Sequence, residues 1–314
     1  MAGRPEVLMA APMFPAAMAA VEQDFTAHKL WLAPDRNALV AEVAPRVRGM
    51  TTTGMVGAGA DLIEALPQLE IIACFGVGYD AIDVAAAKRR NVIVTNTPDV
   101  LTDCVADLAM SLLLASARRI CEAERYVRAG KWLQGHFPLS TKVGGKTCGL
   151  VGLGRIGQAV AKRAEAFGMR VAWHGPRRKD VPYPYHADLV ELAKVSDFLV
   201  VTAPGGEDTF HLVEEAVLNA LGPTGTLVNV ARGSVVDEPA LIRALQDKRL
   251  GAAALDVFEH EPRIPDALLA MGNVVLLPHL GSATRETRGA MGQLVVDNLR
   301  AHFAGKPVLT PVPE

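Results

Sequence analysis

The chain has 314 residues, of which 50% are apolar, and this is enough for two buried cores. Lysine and arginine number 32 and aspartate and glutamate 34, so the formal net charge is −2. No long basic block indicates a nucleic-acid or membrane-surface partner, and no apolar run has the length of a membrane span. The beginning of the chain lacks the apolar region of a secretion signal, so we expect a cytoplasmic protein.

The first third of the chain alternates short apolar runs with helical patterns, which predicts a parallel sheet. Strands are predicted at residues 6–10, 29–32, 49–53, 69–75 and 92–95. Helices are predicted at 16–27, 35–44, 61–66 and 84–90, with Asp35, Asp61 and Asp83 as N-caps. The turn after the fourth strand reads F-G-V-G-Y-D from Phe75 to Asp80. Its N–H groups could bind a small anion, or it could be a simple tight turn.

One long helix is predicted next, from about Leu101 to Gly130, as a connector between two domains. An irregular segment follows from Lys131 to Ser140, and it contains two aromatic side chains. Trp132 and Phe137 could form a docking surface for a second subunit, or could cover the core of their own domain.

The strongest motif of the chain lies at residues 146–157, K-T-C-G-L-V-G-L-G-R-I-G. A strand at 147–151 leads directly into Gly152, Gly154 and Gly157, which have the G-x-G-x-x-G spacing of dinucleotide-binding turns. A helix at 155–167 would direct its N-terminal N–H groups to the phosphates of the dinucleotide.

Five more strands are predicted at 170–173, 198–202, 226–230, 252–255 and 273–276, which completes a six-stranded doubly wound sheet. After the second strand of this sheet, NAD-binding proteins carry an acidic residue for the ribose 2′-hydroxyl. Here the residues from His174 to Lys179 read H-G-P-R-R-K, with three cations and no carboxylate. This composition favours the 2′-phosphate of NADP, although a solvated basic turn is the alternative.

Three side chains with catalytic potential follow successive strands of the last third of the chain: Arg232, Glu261 and His279. Since open parallel sheets bind ligands at their carboxyl ends, one site could collect all three. An arginine can bind a carboxylate, a histidine can transfer a proton near neutral pH, and a neighbouring carboxylate favours the charged histidine. Taken singly, each residue could instead be structural.

Three segments and the two glycine turns resemble the D-isomer-specific 2-hydroxyacid dehydrogenases, most of all the glyoxylate and hydroxypyruvate reductases. The segments are V-N-V-A-R-G-S-V-V-D-E, D-V-F-E-H-E-P and L-P-H-L-G-S-A-T. The resemblance extends from about Leu62 to Thr284. It implies a Rossmann cofactor domain at residues 100–286, inserted in a flavodoxin-like substrate domain formed by 1–99 and 287–314. A returning helix is expected at 293–305.

The resemblance also implies roles for individual residues. His279 would be the acid/base and Glu261 its partner, preferred to Glu259 because it directly precedes proline. Arg232 and the N–H groups of Val77 and Gly78 would bind the substrate, and Trp132 could reach the site of a partner subunit in a homodimer formed through the cofactor domains. The expected cofactor contacts are Gly152, Leu153, Gly154, Arg155, Ile156, Gly157, His174, Arg177, Arg178, Ala203, Pro204, Val230, Ala231, Arg232, Asp256, His279 and Gly281.

The expected reaction is NADPH-dependent reduction of a small 2-keto acid to the D-2-hydroxy acid, without a metal. The scattered cysteines, Cys74, Cys104, Cys121 and Cys148, have no zinc-site spacing and are predicted to be buried free thiols. Two alternatives remain open at this point. One is a dehydrogenase of another acid, such as phenylpyruvate, phosphoglycerate or formate, and the other is a nucleotide-sensing corepressor. The glycine pair after Pro204 departs from the bulkier residues of many relatives.

Overall fold

A computed structural model describes residues 3–313 of the chain. Within these residues the strands are, in chain order, β1 Glu6–Met9, β2 Thr26–Lys29, β3 Val47–Thr53, β4 Ile71–Phe75, β5 Ile93–Thr95, β6 Thr147–Val151, β7 Arg170–His174, β8 Phe198–Val201, β9 Thr226–Asn229, β10 Ala252–Leu255 and β11 Val274–Leu276. The helices of the same residues are α1 Pro15–Asp24, α2 Arg36–Val43, α3 Ala60–Glu64, α4 Val84–Arg89, α5 Thr102–Ala117, α6 Ile120–Arg128, α7 Arg155–Ala166, α8 Leu189–Val195, α9 Glu215–Leu221, α10 Glu238–Gln246, α11 Asp266–Leu269 and α12 Arg285–Phe303.

The chain forms two compact α/β units. The first unit consists of the chain up to Leu101 together with the chain from Ala283 onward, and the second consists of Thr102 to Ser282. Each unit is built on a parallel sheet, so the predicted fold class is confirmed.

The first unit has a five-stranded sheet in the order β2-β1-β3-β4-β5, which is the flavodoxin-like order. All five residues of β4 are buried, as expected for a central strand covered on both faces. The returning helix α12 begins earlier than predicted, at Arg285, because the Thr284 side chain caps it by accepting from the N–H of Thr287.

Two predictions in the first unit are wrong. The strand predicted at 29–32 lies at Thr26–Lys29, and the apolar residues 30–32 instead form a 3₁₀ turn that buries Leu30. The prediction followed hydrophobicity, whereas this polar edge strand is fixed by its pairing with β1. Asp61 is not an N-cap, because α3 starts from Gly59 and Asp61 lies in its first turn. Asp35 and Asp83 do cap their helices through their side chains.

The second unit has the predicted six-stranded sheet, and its strand order is β11-β10-β9-β8-β6-β7. Strands β6, β8 and β9 are buried along their whole length. The strand order reverses at β6, which lies between β7 and β8. In open parallel sheets such a reversal leaves a crevice at the carboxyl ends of the strands, where ligands bind.

The long helix predicted from 101 to 130 is two helices, α5 and α6. Arg119 separates them with a left-handed backbone conformation, φ 53°. Its guanidinium donates to both carboxylate oxygens of Glu122 and lies 4.9 Å from the ring centre of Phe137. These contacts stabilise a conformation that an isolated arginine avoids, and helical periodicity contains no sign of them.

No disulfide joins the four cysteines within the described residues, but the prediction that all are buried is wrong. Cys74 and Cys148 are buried, Cys104 is half-buried and Cys121 is exposed. Burial raises the pKa of the Cys148 thiol to about 12. No helix within residues 3–313 has both the length and the apolar character required to cross a membrane. The same residues contain no group of three or more histidine, cysteine or acidic side chains arranged to hold a metal ion.

Candidate active site

Three neighbouring strands of the second unit end at the same level of the sheet. Leu255 at the end of β10 is in register with Asn229 at the end of β9 and with Leu276 at the end of β11. The segments that follow carry Arg232, Glu261 and His279. The structure therefore brings together the three side chains that the sequence singled out.

His279 and Glu261 form a direct pair. His279 Nδ1 lies 2.7 Å from Glu261 Oε2, with 28% of the histidine side chain and 15% of the glutamate side chain exposed. The second carboxylate oxygen, Oε1, accepts from the N–H of Phe258 at 3.1 Å. Glu259, the alternative partner, is bound elsewhere: its Oε1 lies 3.1 Å from Nε2 of His211.

The charge state of Glu261 determines which nitrogen of His279 can exchange a proton. Burial by itself raises the pKa of Glu261, but the hydrogen bond and charge of His279, the Phe258 N–H and the charge of Arg232 together hold it below its ordinary value. An ionised carboxylate can only accept hydrogen bonds, so Nδ1 of His279 must carry hydrogen. Nε2 is then the ring atom available for proton exchange.

The backbone at His279 is held by a buried carboxylate. His279 has φ 54°, a conformation in which non-glycine residues are uncommon and which concentrates at functional sites. Asp256 accepts from the N–H groups of Leu280 at 2.6 Å and Gly281 at 2.8 Å, and its backbone carbonyl accepts from the N–H of His279. Burial raises the pKa of Asp256, although the two N–H groups and the charge of His279 act in the opposite direction.

Arg232 lies on a segment fixed by a buried asparagine. Asn229 is 1% exposed, donates from Nδ2 to the carbonyl of Arg232 at 2.8 Å, and accepts at Oδ1 from the N–H of Ala231 at 3.0 Å. The next residue, Gly233, packs against the loop of Glu261: a Cβ placed there would lie 1.9 Å from the carbonyl carbon of Phe258. The loops of Arg232 and Glu261 are thus in backbone contact, which only glycine permits.

The glycine turn after β6 has the geometry that its motif predicts. Gly152 has φ 95°, and Gly157 packs so closely that an added Cβ would lie 2.4 Å from the carbonyl oxygen of Gly152. Gly154, the N-cap of α7, has no side chain that could cap the helix, and a Cβ placed on it would meet no atom within 4 Å. The helix N-terminus is therefore accessible to an anionic group such as a pyrophosphate, so this turn fits a dinucleotide.

The comparisons with known proteins agree with this geometry. Residues 110–281 match the family model for the D-isomer specific 2-hydroxyacid dehydrogenase, NAD binding domain. A glyoxylate/hydroxypyruvate reductase A of Arabidopsis thaliana is 51% identical over 307 residues, which are 98% of each chain. A hydroxyphenylpyruvate reductase of Plectranthus scutellarioides is 50% identical over 307 residues, again 98% of each chain.

A solved structure is similar over the whole chain. It is an NADPH-dependent glyoxylate/hydroxypyruvate reductase of Sinorhizobium meliloti in complex with NADP and malonate, with a TM-score of 0.92 and 45% identity, covering 99% of this chain and 97% of that one. The chain belongs to the D-isomer-specific 2-hydroxyacid dehydrogenases. Its homologues support the reduction of a 2-keto acid with a nicotinamide cofactor.

In this dehydrogenase the basic turn after β7 is anchored at both ends. His174 Nδ1 lies 3.0 Å from the carbonyl of His186, and the hydroxyl of Tyr185 donates to the carbonyl of Gly175 at 3.0 Å. Lys179 donates from Nζ to the carbonyl of Leu153 in the glycine turn at 2.7 Å. Arg177 and Arg178, between these anchors, are exposed.

Other expected cofactor residues of the dehydrogenase lie at the carboxyl ends of β6, β8 and β9. Ala203 and Val230 are buried, with 6% and 7% exposure, whereas Pro204 is exposed. Leu153 is buried, Ile156 and Ala231 are half-buried, and Arg155 is exposed at the start of α7. Thr202, which the sequence did not single out, donates from its hydroxyl to the carbonyl of Gly152 at 2.8 Å and so connects β8 to the glycine turn.

The first unit of the dehydrogenase contains the turn of Val77 and Gly78. All three carbonyls of the turn are bound by the protein. That of Gly76 accepts from the Thr97 N–H at 2.9 Å, and that of Val77 accepts from Asn96 Nδ2 at 2.8 Å. That of Gly78 accepts from Cys74 Sγ at 3.7 Å. Within residues 3–313, the N–H groups of Val77 and Gly78 donate to no protein acceptor. The turn thus presents two N–H groups suited to an anion.

Sequence reasoning missed the residues that hold the loops. Glu238 is 7% exposed and accepts from the N–H of Glu259 at 3.3 Å, and burial raises the pKa of its carboxyl despite that bond. With His211 it anchors the loop that carries Glu261. These contacts join residues 21 and 48 positions apart, and the sequence has no local pattern that reveals such pairs.

Proposed function

We propose that this protein reduces glyoxylate, hydroxypyruvate or a related small 2-keto acid to the D-2-hydroxy acid, with NADPH as the preferred donor and His279 as the proton donor. The observation that carries the proposal is the contact of 2.7 Å between His279 Nδ1 and Glu261 Oε2. It supports a histidine that can hold a proton on Nε2 beside an ionised carboxylate. The printed name of the Arabidopsis thaliana relative supports the substrate class.

The protein's own residues have separate tasks in this reaction. The reduced nicotinamide, when bound, supplies a hydride to the keto carbon. His279 Nε2 gives a proton to the carbonyl oxygen as negative charge develops there, and Glu261 stabilises the charged imidazole beforehand. Arg232 binds the carbonyl and the carboxylate, so that most of the catalytic effect comes from orientation and electrostatic stabilisation.

The substrate carboxylate is assigned to the turn of the first unit. The N–H groups of Val77 and Gly78 suit a carboxylate, because the three carbonyls of that turn are already bound by the protein. A 2-keto acid has the carboxylate that these N–H groups suit and, next to it, the carbonyl assigned to His279 and Arg232.

The preference for NADPH is assigned to Arg177 and Arg178. Both are exposed on a turn whose ends are anchored, and no acidic side chain occupies positions 174–179. Lys179 is bound to the glycine turn, so the two arginines are the cations assigned to the 2′-phosphate. The NADP complex of the Sinorhizobium meliloti neighbour supports the same choice.

A homodimer is part of the proposal. Helix α6 has no buried residue, and several apolar side chains on and after it are exposed: Ile120, Val127, Trp132, Leu133 and Leu139. Leu133 is 94% exposed and Leu139 is 97% exposed, and a group of exposed apolar side chains of this kind is typical of an interaction surface. We assign this surface to a second copy of the chain, and Trp132 to the site of that copy.

Reduction of an aromatic 2-keto acid is a second candidate function. The relative from Plectranthus scutellarioides is a hydroxyphenylpyruvate reductase, and its 50% identity is close to that of the first relative. The two candidates require the same His279 and Arg232 chemistry and differ only in the space around the substrate side chain.

The decisive experiment follows the absorbance of reduced nicotinamide with glyoxylate, hydroxypyruvate, phenylpyruvate and hydroxyphenylpyruvate, each with NADPH and with NADH. We expect the highest kcat/KM with NADPH and one of the two small acids. His279→Ala should lower kcat by about 10²- to 10⁴-fold. The matched control is His28→Ala, since His28 forms a similar pair with Glu6 at 2.8 Å outside the proposed site. Equal loss in both variants, or no turnover of any acid by the parent, contradicts the proposal.

A further inference from the structure

The turn of Val77 and Gly78 depends on a side chain that contacts none of the proposed reacting groups. Asn96, 8% exposed, donates from Nδ2 to the carbonyl of Val77 at 2.8 Å. With this carbonyl bound to Asn96, the peptide unit that joins Val77 to Gly78 has a fixed orientation, and the Thr97 N–H fixes the preceding unit through the carbonyl of Gly76. The directions of the Val77 and Gly78 N–H groups follow from that orientation.

Asn96 is itself held by the last residues of the described chain. Its backbone carbonyl accepts from the hydroxyl of Thr310 at 2.7 Å, and its N–H donates to the carbonyl of Thr310 at 3.2 Å. Two positions further on, the N–H of Val312 donates to the carbonyl of Val94 at 2.9 Å. The segment around Thr310 therefore lies along the end of β5 and fixes the backbone of Asn96.

A second asparagine anchors that segment. Asn298 on α12 is fully buried, and every hydrogen-bonding position of its side chain is used. Its Nδ2 donates to the carbonyl of Leu294 at 2.8 Å and to the hydroxyl of Thr310 at 2.9 Å. Its Oδ1 accepts from the N–H groups of Leu309 at 2.9 Å and Thr310 at 3.2 Å. Since an unpaired polar group would be costly at this depth, this arrangement admits little variation.

We propose that Asn96 is a positioning residue for the substrate carboxylate, and that Asn298 and Thr310 form the support that holds Asn96 in place. The continuous series of hydrogen bonds runs from Asn298 through Thr310 and Asn96 to the carbonyl of Val77. The inference rests on the proposed function of the turn. It adds that the residues near the end of the chain affect how tightly the acid binds.

The first test is Asn96→Asp, which keeps the size of the side chain but removes the donor to Val77 and adds a negative charge beneath the turn. We expect KM for the 2-keto acid to rise by about tenfold or more, with KM for NADPH within about twofold of the parent. The matched control is Asn273→Asp, because Asn273 Nδ2 also donates to a backbone carbonyl, that of Gly251, at 2.9 Å. It should leave KM for the acid unchanged.

The second test examines the support without altering Asn96. Thr310→Val removes the hydroxyl, and Thr310→Ser keeps it. We expect a rise of about threefold in KM for the acid with valine and the parental KM with serine. Melting temperatures of all variants separate positioning from folding: a merely structural role lowers the melting temperature and the active fraction and leaves both KM values unchanged.

The outcomes distinguish a wrong role for Asn96 from a wrong proposed function. If the parent reduces keto acids and Asn96→Asp keeps the parental KM for the acid, the inference is wrong and the proposed function stands. If the parent reduces none of them, the proposed function is wrong, and the shift of melting temperature by malonate, a small dicarboxylate, tests the turn directly. A shift lost in Asn96→Asp and retained in Asn273→Asp supports the inference, and equal shifts in both variants overturn it.

Discussion

Replacement of Glu261 by glutamine tests the proposed acid most directly, because it keeps the shape of the side chain and removes its charge. Reduction requires the proton on His279, and an ionised Glu261 at 2.7 Å keeps it there. Without the charge, the protonated imidazole is stabilised less. We therefore expect the rate of keto-acid reduction, followed as pH rises, to fall earlier in the variant than in the parent. Oxidation of the hydroxy acid, which needs neutral His279, should begin to rise at a correspondingly lower pH.

The structure sets the size of the expected loss in kcat. A hydrogen bond to a charged group contributes about 1.5 to 3 kcal/mol, and about 1.4 kcal/mol corresponds to a factor of ten in rate. We therefore expect kcat to fall by about ten- to hundredfold, and the 28% exposure of the His279 side chain favours the lower value, since solvent screens the interaction. His279 and Phe258 bind different oxygens of the carboxylate, and glutamine has an oxygen in only one of these positions, so one of the two bonds is lost in the variant.

The assay is a pH profile of kcat in both directions for the parent, Glu261→Gln and Glu6→Gln. Glu6 is the matched control, because its Oε2 lies 2.8 Å from His28 and its side chain is 20% exposed. Burial by itself raises the pKa of Glu6, but His28 and Arg46 together hold it below its ordinary value. Its variant should reproduce the parental profile. If Glu261→Gln has the same falling limb as the parent, the carboxylate does not control the proton of His279 and the reasoning is refuted.

Three further changes test other parts of the proposal. Arg177→Ala combined with Arg178→Ala should raise KM for NADPH by about tenfold or more and change KM for NADH little, and equal kcat/KM for the two cofactors in the parent would contradict the assignment. Gly233→Ala should lower kcat by about 10²-fold with the cofactor affinity nearly retained, because its Cβ would lie 1.9 Å from the carbonyl carbon of Phe258 in the loop of Glu261; unchanged kinetics would refute this contact. If the proposed homodimer forms, Leu133→Asp with Leu139→Asp should convert it to a monomer in light scattering, and a parent that is already monomeric would refute the proposed surface.

The sequence predicted the parts of the fold that depend on local periodicity. All six strands of the second sheet lie within one residue of their predicted limits, because apolar runs bounded by turns determine buried parallel strands. The edge strand β2 was misplaced because it is polar and exists through pairing with β1. The break at Arg119 was missed because its left-handed conformation depends on contacts with Phe137 and Glu122.

The candidate site divides in the same way. Arg232, Glu261 and His279 could be predicted because each follows a strand, and adjacent parallel strands bring their ends together. Asn229, Glu238 and Asn96 could not be predicted, because their side chains bind backbone groups whose positions only the folded chain defines. An asparagine or a glutamate alone has no spacing that distinguishes this role from an exposed polar position.

Buried polar side chains explain how loops can carry chemistry that needs fixed geometry. Asn229 binds the carbonyl of Arg232, Asp256 binds the turn after His279, and Asn96 binds the carbonyl of Val77. In each case a buried polar side chain fixes backbone groups beside a proposed functional residue without binding the atoms assigned to the reaction. Burial strengthens such bonds and makes their loss expensive, so each loop has one strongly favoured conformation. The orientation of the proposed acid and of the N–H groups proposed to bind the carboxylate is therefore set during folding, before any substrate is bound.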